Sequence, residues 1–129
     1  MPSIPSSHRD LAEAPVVASL STVGADGAPQ VTAIWFLTDG DTIKFSLTTD
    51  RQKYKNMIAH PRATLFVIDP ANPFRTLEIR GVVESGADPD LGLFKAVFRH
   101  YGQDPNSSGI ARQGRVAITP RPTHIVAQG

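Results

Sequence analysis

The 129 residues suit one domain, 1–129, large enough to bury about two thirds of its unfolded surface. Hydrophobic content of 40% and charged content of 19% exclude a disordered chain, and a net charge of +1 argues against a general nucleic-acid binder, which carries a concentrated basic surface. With no cysteine there is neither a disulfide framework nor thiolate chemistry, and no apolar run approaches a membrane span.

The N-terminus shows no charged-then-apolar leader pattern, so a cytoplasmic location is expected, with neither membrane nor nucleic acid as partner. Residues 1–7 hold two prolines and three serines and are expected to be a loose tail. Ser7 to Glu13 can form a short helix with Ser7 as its N-cap, stopped by Pro15. From Val16 the pattern turns to strands. VVASLSTV, QVTAIWFL and TIKFSL are separated by Asp26-Gly27 and Asp39-Gly40, which are hairpin signals, so an antiparallel meander of three strands is expected. Ile43, Phe45 and Leu47 alternate with Lys44, Ser46 and Thr48, the period of a half-buried strand.

A short basic helix follows, with Asp50 as its expected N-cap and Pro61 ending it. Tyr54, Met57 and Ile58 share the face expected to meet the core. RATLFVID reads as a central strand, Asp69 to Pro73 as a loop, and RTLEIRGVVES as an alternating strand. Asp88-Pro89 opens a further helix, along which Leu91, Phe94, Phe98 and Tyr101 recur at core spacing. Residues 103–114 form a polar loop. Two last strands, RVAITP and THIVA, are expected on either side of Pro120-Arg121-Pro122. Six or seven strands, antiparallel wherever the connections are short, with two or three short helices, make a mainly β (α+β) chain built on a small barrel.

The basic helix carries the most informative chemistry. Arg51 and Lys53 are expected in its first turn, where the backbone N–H groups already present partial positive charge and a cation is mildly unfavourable. An anion at that end, held also by the hydroxyls of Ser46, Thr48 and Thr49, would explain them; a solvated basic helix is the alternative. Trp35, the only tryptophan, either fills core or a subunit interface or walls a slot for a flat ring. The four histidines are scattered without ligand spacing, so no metal site is expected. There is no Gly-x-Ser-x-Gly elbow for a hydrolase, and Gly24 to Gly27 lacks the pattern of a phosphate loop.

Taken in order, ASLSTVGADGAPQVTAIWF, FSLTTDRQKYKNMIAHPRATLFVID, LEIRGVVE and RVAITPRPTHIV resemble the split β-barrel flavin and deazaflavin oxidoreductases, the pyridoxamine 5'-phosphate oxidase-like superfamily. The chain is most similar there to the class B coenzyme F420-dependent reductases of actinobacteria. The Arg51, Lys53, Asn56 pattern after a hydroxyl-rich strand end is the most specific part, and the likeness spans Ala12 to Ala127. It implies a split barrel of the FMN-binding type and a homodimer with its active sites in the grooves between subunits. It also implies that Arg51, Lys53 and Lys55 grip the cofactor phosphate and the oligoglutamate tail of F420, assisted by Ser46, Thr48 and Thr49. The ring would rest along Thr32, Ala33, Ile34 and Trp35. The partner subunit would contribute from Leu77, Glu78 and Ile79.

The activity so implied is hydride transfer from C5 of reduced F420 to an electron-poor small molecule, such as an enone, quinone or tetrapyrrole. No general acid is identifiable in the sequence. An FMN enzyme of the pyridoxamine phosphate oxidase type is the alternative, although three cations exceed what one phosphate needs. An F420-binding or storage protein without turnover is the other.

Overall fold

The computed structural model describes residues 2–129. A 3-10 turn, Ser6–His8, leads into α1 (Arg9–Glu13), followed by β1 (Ala18–Val23), β2 (Pro29–Ile34), β3 (Leu37–Asp39) and β4 (Thr42–Thr48). Then come α2 (Gln52–Ala59), β5 (Arg62–Asp69), β6 (Asn72–Ala87), a second 3-10 turn at Pro89–Leu91, α3 (Gly92–His100) and β7 (Arg115–Gln128). The strands form one seven-stranded sheet in the order β2-β1-β5-β6-β7-β4-β3, and every neighbouring pair is antiparallel.

The two ends of that order, β2 and β3, are consecutive in the chain and joined only by Trp35 and Phe36. Three peptide units span at most about 11 Å, so the sheet must curl until its ends meet. They meet without pairing, and the barrel is split along that seam. Period-two alternation lines its inside: Leu20 on β1, Phe45 on β4, Leu65 and Val67 on β5, Leu77 and Ile79 on β6 and Ile118 on β7 are each 1% exposed or less.

The expected three-strand meander does not form. The Asp26-Gly27 turn joins β1 to β2 and the Asp39-Gly40 turn joins β3 to β4, but the two hairpins stand at opposite ends of the sheet. QVTAIWFL breaks at Trp35-Phe36, where the Phe36 N–H donates to the Tyr101 hydroxyl at 3.2 Å instead of to a strand. In an uninterrupted apolar run, alternation cannot mark such a break.

RVAITP and THIVA form a single strand rather than two. β7 pairs with β4 only over Arg115–Thr48 to Ile118–Phe45, so beyond Ile118 one edge of β7 needs no donors and tolerates Pro120 and Pro122. A register shift opposite Arg80/Gly81 absorbs the extra residue, Thr123. At that bulge a Cβ on Gly81 would lie 2.7 Å from the Arg121 carbonyl oxygen. Gly81→Ala must therefore move backbone, and a stability loss of about 1–3 kcal/mol is expected in urea unfolding. The expected loop at 69–73 shrinks to a turn at Pro70-Ala71, with β6 beginning at Asn72.

The N-terminal stretch departs from the loose tail expected of it; of its residues, Met1 lies outside the described ones. Ile4 is 3% exposed, and its N–H donates to the Asp41 carboxylate, which also pairs with Arg9. Arg75 binds Asp10, Asp69 and the Ser7 carbonyl. Ser7 caps no helix; its hydroxyl meets His8 Nδ1 at 2.8 Å. Asp10, Asp41 and Asp69 all have lowered pKa values, Asp10 chiefly through the Arg75 hydrogen bond and the other two chiefly through backbone N–H donors.

The two longer helices also differ in detail from expectation. α2 is preceded by Arg51, not Asp50, at the N-cap position, because the Asp50 carboxylate accepts the Thr48 hydroxyl instead. On its inner face Asn56 (3% exposed) accompanies Met57, while Ile58 is 59% exposed. Asp88 does cap α3, but across the intervening turn: its two oxygens accept the N–H groups of Leu93 (2.8 Å) and Phe94 (3.0 Å). No helix among the described residues is long and apolar enough to cross a membrane.

Candidate active site

The seam of the barrel opens into a cleft of about 300 Å3. One bank is the end of β2 and the residue after it, with Ala33, Ile34 and Trp35. The other is β4, with Ser46, Leu47 and Thr48. The start of α2 lies across one end because β4 turns sharply through Thr49-Asp50. That turn is held by the Thr48–Asp50 hydrogen bond, by Arg51 N–H to the Thr48 carbonyl (3.2 Å) and by Thr49 N–H to the Gly114 carbonyl (3.0 Å).

Arg51 and Lys53 thus reach the same cleft. The Lys53 ammonium donates to the Thr32 hydroxyl at 3.2 Å, tying α2 to the β2 bank. Burial, and then the Arg51 charge beside it, lowers the pKa of Lys53. Arg115, at the start of β7, supplies a third cation that reading the sequence missed. Its pKa is lowered by burial first and by Arg51 second. The ion pairs among the described residues engage Arg9, Arg75, Arg80 and Arg121, whereas Arg51, Lys53 and Arg115 belong to none. Three cations crowd one half-enclosed cleft with no carboxylate paired to them.

Between the banks the surface is aromatic. Trp35 stacks on Tyr101, with centroids 4.8 Å apart and rings 10° from parallel, and meets Phe98 edge-on at 5.3 Å. The Tyr101 hydroxyl donates to the Val16 carbonyl (2.6 Å), which fixes the stack. Trp35 is thus half-buried, packed against Phe98 and Tyr101 on one side and lining the cleft on the other. Phe98, read from its spacing as core, is half-buried and lines the cleft too.

The other expected site residues lie elsewhere. Thr49 and Lys55 are exposed beyond the cleft walls. Asn56 is a structural hub: its amide donates to Thr22 and Gln30 at 3.1 Å each, and its oxygen accepts from Gln52 at 2.8 Å. Leu77 and Ile79 point into the barrel, while Glu78 faces outward and pairs with Arg80. Arg115 stands opposite Thr48 in the β4–β7 ladder, a pairing between residues distant in sequence. The only cue to it was a cation opening a strand after the polar loop.

The sequence matches the family model described as pyridoxamine 5'-phosphate oxidase over residues 4–127. Among solved structures, a protein named F420 reductase is 40% identical; the match covers 95% of this chain and 98% of that one, with a TM-score of 0.88. A conserved hypothetical protein from Mycobacterium tuberculosis shares the fold at 19% identity, covering 97% and 84% of the two chains, with a TM-score of 0.77. A heme storage protein from Vibrio cholerae does so at 15% identity, 95% and 93% coverage and a TM-score of 0.75. No curated protein matches the sequence significantly.

Proposed function

The chain belongs to the pyridoxamine 5'-phosphate oxidase family, and on that premise we propose that it is an oxidoreductase using coenzyme F420 to reduce an electron-poor unsaturated small molecule. Enones, quinones and tetrapyrroles are the acceptor types in view. The observation that carries this reading is the set of three unpaired cations around one aromatic-walled cleft. Lys53 and Arg115 are half-buried with no ion pair among the described residues, which is costly, and Arg51 is exposed at the cleft edge. An elongated polyanion such as a phosphate with an oligoglutamate tail offsets that cost at several points. The single phosphate of FMN would answer fewer of them. When bound in its reduced form, F420 supplies a hydride to the acceptor.

The chain's own part is to bind, orient and exclude water. Arg51 and Lys53 would take the phosphate and the near part of the tail, with exposed Lys55 and Thr49 further out. Ala33, Ile34 and Trp35 would lie along the ring, held in place by the Tyr101 stack. Thr48 is committed as a donor to Asp50, so it shapes the turn while Ser46 faces the cleft. Tyr101 makes a poor proton donor to substrate, because its hydroxyl already donates to Val16 and burial raises its pKa.

A cleft of about 300 Å3 is at the small end for a large cofactor, which favours completion by a second copy of the chain. An outward-facing row runs from the cleft edge across the sheet: Ala33, Ser19, Phe66, Glu78, Val126. Beside it stand Val31 and Ile68, 65% and 47% exposed, as apolar surface for a homodimer. Glu78 of a partner docked on this face would approach the cleft.

Titration with F420 and with FMN, followed by oxidation of reduced F420 in the presence of a panel of acceptors, tests the reading. Tight F420 binding with turnover is expected. Tight FMN with negligible F420 would replace it by the flavin enzyme, and F420 binding with no turnover on any acceptor by a storage role. The affinity should also depend on pH. Anion binding favours charged Lys53, so affinity should hold near neutrality and fall on the alkaline side, earlier than for an ordinary lysine. Lys53→Arg, which stays charged, should abolish that alkaline fall in a series of Kd measurements.

A further inference from the structure

We propose that Arg115 is an anion-binding residue for the cofactor, fixed on the bank opposite Lys53, so that the charged part of F420 spans the seam; this rests on the F420 reading above. The guanidinium lies over the Phe94 ring at 4.5 Å, and its Nε donates to the Ala111 carbonyl at 2.8 Å. One terminal nitrogen reaches the Ser46 hydroxyl at 3.4 Å. The second has no hydrogen-bond partner among the described residues, and the group lines the cleft without a carboxylate paired to it. Stacking on one face and a bond at Nε leave the two-nitrogen edge, with one nitrogen free and the other held only by the long Ser46 bond, as the available part of the fork. That edge is the one suited to a phosphate or carboxylate.

The arrangement of charges gives the direction. Arg51, Lys53 and Arg115 line the same cleft. Burial first and the Arg51 charge second lower the pKa of Lys53 and Arg115, while Asp88 and Asp50 act on Arg115 in the opposite sense without forming an ion pair with it. Lys53 is bonded to Thr32 on β2 and Arg115 to Ser46 on β4, the two banks of the cleft. An anionic chain laid across the start of α2 meets all three in turn. Phe94 is also approached by Arg112 at 5.5 Å, so the loop before β7 is packed on the same ring that orients Arg115.

Fluorescence titrations of F420 and of the deazaflavin lacking phosphate and tail distinguish a binding role from a structural one. In Arg115→Met, the Kd for F420 should rise about tenfold or more, while that for the uncharged deazaflavin stays the same. The slope of log Kd against log salt should fall by about one charge. Arg115→Lys, which keeps charge but loses the fork and the stack, should lie between wild type and Arg115→Met. An equal rise for both ligands would make Arg115 a structural tie only. An unchanged F420 affinity in Arg115→Met, with a higher KM for an anionic acceptor, would assign it to the substrate and overturn the proposal. Failure of the F420 reading itself would look different: wild-type protein would then bind F420 no better than the uncharged deazaflavin.

Discussion

Replacing Arg51 and Lys53 together with alanine is expected to raise the Kd for F420 about 100-fold. Each side chain would make a charge-assisted hydrogen bond worth about 1.5 kcal/mol or more, and two such losses multiply. Lys53 is expected to be the stronger single contributor, because it is half-buried and already oriented by Thr32, where attraction is less screened. Lys55→Ala should cost much less, since Lys55 is exposed and off the cleft wall. Titrations at several salt concentrations should show the double variant losing most of the salt dependence seen in the wild type. Wild-type affinity in the double variant would remove the anion site from α2 altogether.

The largest loss of stability is expected from Phe45→Ala. Phe45 is fully buried on β4, where its backbone pairs with Ile118, and the surrounding strands cannot collapse into the space left behind. A cost of about 3–5 kcal/mol follows, lowering the Tm by about 10–20 °C for a domain of this size. β4 also carries Ser46 and Thr48 to the cleft, so ligand affinity should fall with stability rather than independently of it. Calorimetry with and without F420 measures both. A Tm within a few degrees of wild type would mean that Phe45 is not a central packing residue.

Much of this molecule was legible in short stretches of sequence. The alternation of Ile43, Phe45 and Leu47, the Asp-Gly turns and the Asp88 cap depend on neighbours within a few residues, where backbone geometry leaves few choices. Errors came where a local rule had two solutions. Trp35-Phe36 lies in an unbroken apolar run, and the prolines of β7 forbid a central strand but not one with a free edge. Ile58 and Asn56 exchanged roles because Asn56 finds three hydrogen-bond partners, two of them on the β1–β2 hairpin, that no helical wheel displays.

By itself the sequence determined a mainly β barrel with short helices and a basic helix start after a hydroxyl-rich strand end, because hydrophobic period and charge are properties of neighbours in the chain. Only the tertiary structure decided that the seam falls between β2 and β3, that Trp35 stands on α3, and that Arg115 joins Arg51 and Lys53 at one cleft. Those facts depend on contacts between residues tens of positions apart: pairing of β7 with β4 sets Arg115 beside the start of α2, and curling of the sheet brings the β2 bank to Lys53.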